Sequence, residues 1–333
     1  MNPAKIICEI AGSFKNFDQA KRLIDDLRQT GQTIVKLQTF NPETLASNDA
    51  IFEMENTGKR KQKDVFYEEM CSYELQAEII RYCRRADVKC FSTPSHFSDV
   101  DFLVGEGVQW LKIGSDDAMN YPLIEYCANR CEKLFVSTGM CTFDELIEVA
   151  CYLKMLPVSV VLLYCITSYP AKAEDLNLST LTSIKSLFPG LTLGYSDHYP
   201  KNEACLLAYG LGAEWFEKHV KPSDDFNGVD AQVSSTPKDI KKLQMQLDTM
   251  NSMFGSHLRG MGKQESLNRI NNRKSLHFKH PLIGGHRLTK DDVIALRPGT
   301  GIPPKFLDEF VGKFLRNDVV AGEIIRREDF KDG

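Results

Sequence analysis

Eight short apolar or β-branched runs recur along the first 235 residues, each followed by a stretch of helical periodicity. They cover residues 5–10, 33–39, 88–93, 109–113, 132–137, 158–165, 191–196 and 213–220. In the first helical stretch Phe17, Ala20, Leu23, Ile24 and Leu27 share one face, and Gly31 follows as a stop. Thr142 with Glu145 forms a capping box ahead of Leu146, Ile147, Ala150 and Leu153. Thr236 and Pro237 open another helix, whose stripe is Ile240, Leu243, Leu247, Met250 and Phe254, with Gly255 after it. Eight strand–helix units predict a closed (β/α)8 TIM barrel over residues 1–255. A doubly wound open sheet is the alternative, but no G-x-G-x-x-G follows the first strand.

Two stretches break the alternation. Residues 41–72 are polar and run about thirty residues between the second strand and its helix, a length typical of a lid or a disordered excursion. Residues 256–273 have little periodicity and read as a linker. Residues 274–333 then show short apolar pairs and turns such as Gly284-Gly285 and Arg297-Pro298-Gly299-Thr300-Gly301, a small β-rich domain with 11 basic and 9 acidic side chains.

Composition narrows the classes of partner. With 41 Lys+Arg against 45 Asp+Glu, the net charge of -4 provides no electrostatic footprint for nucleic acid or an anionic membrane. No run approaches 18 apolar residues, and the N-terminal segment lacks a signal-peptide plan. The ten cysteines lie mostly inside apolar runs with no C-x-x-C pair, so the expectation is buried free thiols in a cytoplasmic protein.

The chemistry sits at the C-terminal ends of the expected strands, where TIM barrels carry their active sites. Those ends supply Glu9; Lys36 and Gln38; Ser92 and Thr93; Lys112 and Ser115; Ser137 and Thr138; Thr167 and Tyr169; Ser196, Asp197 and His198; and Glu217, Lys218 and His219. Any one of these could be a paired core polar group, but eight polar strand ends together point to a site. Lys36 and Lys112 among Ser and Thr hydroxyls describe a cradle for a small polyanion, such as a phosphate with a carboxylate. His198 and His219 could share a divalent metal, with imidazole favouring Mn²⁺, Fe²⁺, Co²⁺ or Zn²⁺ over Mg²⁺; one general acid/base plus one structural histidine is the alternative. His96, His257, His277, His280 and His286 fall off the strand ends and read as surface or linker residues. The set suits carbon–carbon bond formation or a lyase reaction on a phosphorylated small molecule.

These motifs match a family. Ile7-Cys8-Glu9-Ile10, Val35-Lys36-Leu37-Gln38-Thr39-Phe40, Phe91-Ser92-Thr93-Pro94, Lys112-Ile113-Gly114-Ser115 and Ser137-Thr138-Gly139-Met140 appear in order. Ser168-Tyr169-Pro170, Gly194-Tyr195-Ser196-Asp197-His198 and Glu217-Lys218-His219 follow. Over nearly its whole length the chain resembles the sialic acid (N-acylneuraminate) synthases and the related legionaminic, pseudaminic and spore-coat sugar enzymes. Arg297-Pro298-Gly299-Thr300-Gly301 resembles the hallmark of their terminal SAF (antifreeze-protein-like) domain.

The resemblance implies condensation of phosphoenolpyruvate with the open-chain aldehyde of an N-acyl amino sugar, giving a nine-carbon 2-keto acid and phosphate. It implies a divalent metal, Mn²⁺ or Mg²⁺, on His198 and His219. It implies phosphoenolpyruvate on Lys36, Thr93, Lys112, Ser115, Ser137 and Ser196, and sugar contacts from Tyr169 and Asp230. Glu9, Asp117 and Glu217 become the catalytic carboxylates, and Arg297 would complete a partner subunit's sugar pocket in a domain-swapped homodimer.

Three departures stand out. Ala11-Gly12-Ser13 replaces the family's Asn-His-x-Gly run, Asp116-Asp117 replaces Gly-Glu, and Ile166 replaces a hydroxyl residue. They leave open a different sugar, or a degenerate sugar-phosphate-binding homologue. A Schiff-base aldolase using Lys112 or Lys36 is the rival within enzymology.

Overall fold

The computed structural model describes residues 2–54, 58–256 and 258–331; His257 lies outside them. The chain forms two compact units, Met1–Gly255 and Ser256–Gly333. In the first, the strands in chain order are β1 (Lys5–Glu9), β2 (Ile34–Thr39), β3 (Ile51–Met54), β4 (Gly58–Lys61), β5 (Lys89–Pro94) and β6 (Trp110–Ile113). They continue with β7 (Lys133–Ser137), β8 (Ser159–Cys165), β9 (Thr192–Asp197) and β10 (Trp215–His219). All but β3 and β4 pair in parallel into a closed barrel of order β1-β10-β9-β8-β7-β6-β5-β2, so the expected TIM barrel is what forms.

The helices bury the faces that their periodicity predicts. Ala20, Leu23, Ile24 and Leu27 pack inward from Phe17–Gln29, whose N-cap is Asn16. The expected capping box of Thr142 with Glu145 is present, and the expected N-cap Thr236 also forms one with Asp239, satisfying orphan N–H groups at the two helix starts.

Strand alternation builds the barrel interior in layers. Because side chains two residues apart share a face, one aromatic layer sits two positions below a polar one. Phe91, Trp110, Phe135 and Trp215 interlock, with Phe91–Phe135 centroids 5.1 Å apart and Phe135–Trp215 centroids 5.0 Å apart. Two residues further along the same strands come Thr93, Lys112, Ser137 and Glu217. The aromatic plug thus closes the barrel floor and excludes water below the polar layer.

Gly194 on β9 gives Trp215 its room. A Cβ there would lie 2.5 Å from Leu163 Cδ2 and 2.7 Å from the Trp215 carbonyl oxygen, closer than packed atoms tolerate. Gly194→Ala should therefore destabilise the barrel by about 1–3 kcal/mol through overpacking, read as a lower denaturant midpoint at unchanged slope.

The described residues of the 41–72 excursion form regular elements rather than a structureless loop. It comprises a helical turn (Pro42–Leu45), the antiparallel β3–β4 hairpin and a helix (Gln62–Glu69). Phe40, Phe52 and Phe66 hold it together, Phe66 lying 5.4 Å from each of the other two rings. Periodicity is weak here because the excursion buries only a few apolar residues against the barrel mouth.

The second unit contains the antiparallel pair β11 (Ser275–Phe278) and β12 (Val293–Leu296), with a core including Leu276, Phe278, Leu288, Phe310, Leu315 and Ile325. Two expectations change here. The stretch read as a linker contains the helix Lys263–Asn272, whose apolar face is only the pair Leu267 and Ile270, both exposed, too short a stripe to mark it. His277 is buried in β11, its Nδ1 3.0 Å from the Ser275 carbonyl oxygen, rather than on the surface. Among the described residues no helix is long and apolar enough to cross a membrane.

Candidate active site

A cavity of about 670 Å³ opens at the C-terminal ends of the barrel strands. Its wall carries Lys36, Thr93, Lys112, Ser115, Tyr169, Ser196, His198, Glu217, His219 and Asp230, so ten of the side chains singled out from sequence converge there.

At the floor two lysines share one carboxylate. Lys112 Nζ is 2.6 Å from Glu217 Oε1, and Lys36 Nζ is 3.9 Å from the same oxygen. Ser196 Oγ donates to it at 3.3 Å. Lys36 also pairs with Glu9 and donates to Thr93 Oγ1 at 3.0 Å, while Glu9 Oε1 accepts the Ala11 N–H at 2.7 Å. Barrel register explains the meeting: Glu9 lies opposite Lys36 on β2 and opposite His219 on β10.

The charge states follow from these contacts. Burial opposes ionisation of Glu217, but Lys112 and Lys36 outweigh it and hold the carboxyl well below its usual range. Burial likewise opposes a charge on Lys36, yet Glu217 and Glu9 raise its pKa above the ordinary lysine value. Glu217 Oε2 and Thr167 Oγ1 are buried without a hydrogen-bond partner among the described residues, which leaves both open to a water, an ion or a ligand. Thr167 received no role from sequence beyond marking a strand end. Gly139 makes its position possible: a Cβ there would reach within 2.1 Å of Thr167 Oγ1 and 2.8 Å of Ser115 Oγ.

The histidines form the other side. The His198 and His219 ring centroids are 5.4 Å apart, and the Tyr169 ring lies 4.0 Å from His198 and 6.0 Å from His219. His198 Nδ1 is 2.8 Å from the Ile166 carbonyl oxygen; donation to that oxygen fixes the tautomer and leaves Nε2 with its lone pair. Burial depresses the pKa of His219 well below the ordinary value, with His198 adding to the effect, which keeps the ring neutral. At His198 burial acts in the same sense, but the Cys165 thiol 3.8 Å away and the Ile166 carbonyl reverse the net direction. Asp230 Oδ2 is 3.4 Å from His219 Nδ1, and burial is the main cause that pushes its carboxyl up to about 6.

The donor set fits a divalent ion. A metal bonded at about 2.1 Å through one nitrogen of each imidazole places the ring centroids about 5 Å apart, close to the spacing here. No cluster of three or more His, Cys, Asp or Glu arranged to hold an ion occurs among the described residues. Two imidazoles would therefore leave several coordination positions for substrate or water, as catalytic sites require.

Four sequence-selected residues lie elsewhere. Glu9 and Ser137 are buried but absent from the cavity wall; Glu9 stands behind Lys36, and Ser137 Oγ has no partner among the described residues. Asp117 turns to Asn120, whose Nδ2 donates to it at 2.8 Å, and Asp116 lines the cavity in its place. The two belong to a 3₁₀ turn, Ser115–Asp117, in which successive side chains diverge by about 120°. Arg297 belongs to the second unit, exposed, with Nη1 3.4 Å from Asn272 Oδ1.

The outer chamber was not legible as a site. Phe14, Phe40, Phe52, Val65, Phe66 and Phe226 give it apolar walls. The cavity's charged lining beyond the residues above is Lys15, Glu53, Glu69 and Asp116, and Lys15 is paired with Glu69 at 3.1 Å. Ala11, Gly12 and Ser13, where the family resemblance loses its histidine, also line this chamber. Gly12 adopts φ +75 beneath Glu69, and Ser13 Oγ donates to the Val220 carbonyl at 2.6 Å.

Comparison with known proteins identifies the family. Residues 23–259 match the NeuB family and residues 273–331 match the SAF domain. The N,N'-diacetyllegionaminic acid synthase of Legionella pneumophila is 31% identical over 313 residues, covering 91% of this chain and 87% of that protein. Human N-acetylneuraminate-9-phosphate synthase is 27% identical over 336 residues, covering 98% and 92%. The crystal structure of N-acetylneuraminic acid synthetase from Leptospira borgpetersenii, in complex with citrate, superposes with a TM-score of 0.69 at 26% identity, covering 80% of this chain and 90% of that one.

Proposed function

Because the chain belongs to the NeuB family, we propose that it joins phosphoenolpyruvate to the open-chain aldehyde of an N-acyl amino sugar, releasing phosphate and forming a nine-carbon 2-keto acid. The observation that carries this reading is the pair of buried lysines sharing Glu217 at the cavity floor, opposite two neighbouring imidazoles.

Lys36, Lys112, Thr93, Ser115 and Ser196 hold the phosphate and carboxylate of phosphoenolpyruvate, and the unpartnered Thr167 hydroxyl is available to the same ligand. Carbon 3 of the enol attacks the aldehyde carbon, forming the new C–C bond, and the aldehyde oxygen takes up a proton. Asp230, with its carboxyl near neutrality, is the group suited to hand over that proton. Water adds at carbon 2, and the tetrahedral intermediate expels phosphate by C–O cleavage. Glu217, held ionised by both lysines, orients them rather than acting as an acid. His198 and His219 would hold the divalent ion, Mn²⁺ or Mg²⁺ by family resemblance, whose chemistry is Lewis-acid polarisation of the aldehyde. A Schiff-base route is disfavoured, because Lys112 is ion-paired and Lys36 is held protonated.

The outer chamber supports a narrower acceptor class. Its walls are apolar, its single lysine is neutralised, and its remaining charges are acidic, so it suits an uncharged sugar end bearing acyl methyl or deoxy carbons. A phosphate there would face like charge, and unphosphorylated acceptors should exceed their 6-phosphates in kcat/KM by at least about 10-fold. Phosphate release from phosphoenolpyruvate and Mn²⁺ across a panel of N-acyl and di-N-acyl hexosamines, with and without 6-phosphate, tests both claims. No release with any acceptor would sink the synthase reading, whereas preference for the phosphates would sink only the narrower one.

The resemblance further assigns Arg297 to the sugar site of a second copy in a domain-swapped dimer of a cytoplasmic enzyme. Analytical ultracentrifugation, and a raised acceptor KM in Arg297→Ala, are the expected results.

A further inference from the structure

The alternation that aims Ser196, His198, Glu217 and His219 at the cavity turns Asp197 and Lys218 outward, into the layer between strands and helices. There they stand opposite each other in the β9–β10 register. Both are fully buried, and neither lines the cavity. Lys218 Nζ lies 2.9 Å from Asp197 Oδ2 and donates to the Tyr199 carbonyl at 2.8 Å. Asp197 Oδ1 accepts the Tyr199 N–H at 2.8 Å, and Oδ2 also accepts from Cys205 Sγ at 3.1 Å.

A buried ion pair is a poor way to fill space. Apolar side chains of similar volume commonly serve stability as well or better. What this pair does that apolar groups could not is bond both the N–H and the C=O of Tyr199, the residue that follows His198. His198 is then fixed from the other direction: its carbonyl accepts the Ala171 N–H at 3.1 Å, and its Nδ1 meets the Ile166 carbonyl. The turn carrying this imidazole is clamped at once by groups from the loop after β8, from β9 and from β10.

We propose that Asp197 and Lys218 are positioning residues that lock the Ser196–Tyr199 turn, holding the His198 ring in one orientation and one tautomer for metal binding. This rests on the metal role given to His198 above. Outer-shell groups of this kind tune metal affinity without touching the ion.

The test compares the wild-type chain with Asp197→Leu/Lys218→Met, which replaces the pair by apolar volume and removes the bonds to Tyr199. Thermal unfolding, calorimetric Mn²⁺ titration and ring-¹⁵N histidine NMR of the metal-free protein are read together. The double variant should melt near the wild type or above it, bind Mn²⁺ about 10–100-fold more weakly and show mixed His198 tautomers. A folded variant with wild-type Mn²⁺ affinity and a single His198 tautomer overturns the proposal. If that variant does not fold, Asp197→Asn/Lys218→Met replaces it, removing both charges and the Lys218 bond, with the same expected and overturning results. Should the wild type bind no Mn²⁺ yet lose its single tautomer in the variant, the metal role falls and the clamp stands.

Discussion

Replacing Lys36 by methionine should lower kcat/KM for phosphate release by about 10²–10³-fold or more, since it removes a preorganised cation from the anion cradle. Lys36 is almost fully buried and bonded to Glu9, Thr93 and, more distantly, Glu217. Among the described residues, its loss leaves Glu9 with the Ala11 N–H and Glu217 with Lys112 as a close cation. Stranding one partner of such a pair costs about 3–5 kcal/mol, so a lower melting temperature should accompany the kinetic defect. Lys36→Met/Glu9→Gln separates the two effects by removing both charges together. It should regain most of the stability and none of the activity. Lys36→Arg should also fail, because a planar guanidinium does not fit a site built around a compact ammonium. Near-wild-type turnover in the folded double variant would show that Lys36 does not hold the reacting anion.

Chelation should be the second large effect. EDTA treatment is expected to lower the rate at least about 100-fold, with recovery on adding Mn²⁺, because carbonyl polarisation by a bound cation contributes several kcal/mol to such transition states. His219→Ala should reproduce the loss and resist rescue. His219 is held neutral by burial, so the wild-type ring needs no deprotonation to bind an ion, and weak dependence of Mn²⁺ affinity on pH near 7 should follow at this ligand. Electron paramagnetic resonance of Mn²⁺ provides a readout independent of turnover: the bound signal should disappear in His219→Ala. Borohydride with substrates should trap nothing on Lys112 or Lys36. Activity that survives chelation, together with a trapped lysine adduct, would move the protein to the Schiff-base class.

The candidate site was legible to different depths. Lys36, Lys112, His198 and His219 could be picked out because each follows an apolar run at a strand's C-terminal end, and barrel geometry sends those ends to one place. The Lys112–Glu217 bond joins residues 105 apart in sequence, and no local pattern contains that distance. Which of Asp116 and Asp117 lines the cavity was hidden for a related reason: the turn after β6 is 3₁₀, and its rotation per residue chooses the carboxylate that faces it. Glu9, given by the resemblance as a group that orients or exchanges protons, is ion-paired with Lys36 behind the cavity wall, a placement no local pattern contains.

What the sequence determined by itself is the local alternation: eight strand–helix units, which face of each packs, where the helices are capped, and hence a barrel with polar strand ends. Those properties depend on neighbours within a few residues. Only closure of the barrel decided the rest. Inter-strand register set Glu9 beside Lys36 and His219, and paired Lys218 with Asp197 behind the site. It also stacked an aromatic floor beneath the lysines. Charge states, neutral rings and the apolar outer chamber follow from burial and from partners far away in the chain, and these exist only once the ends of the strands have met.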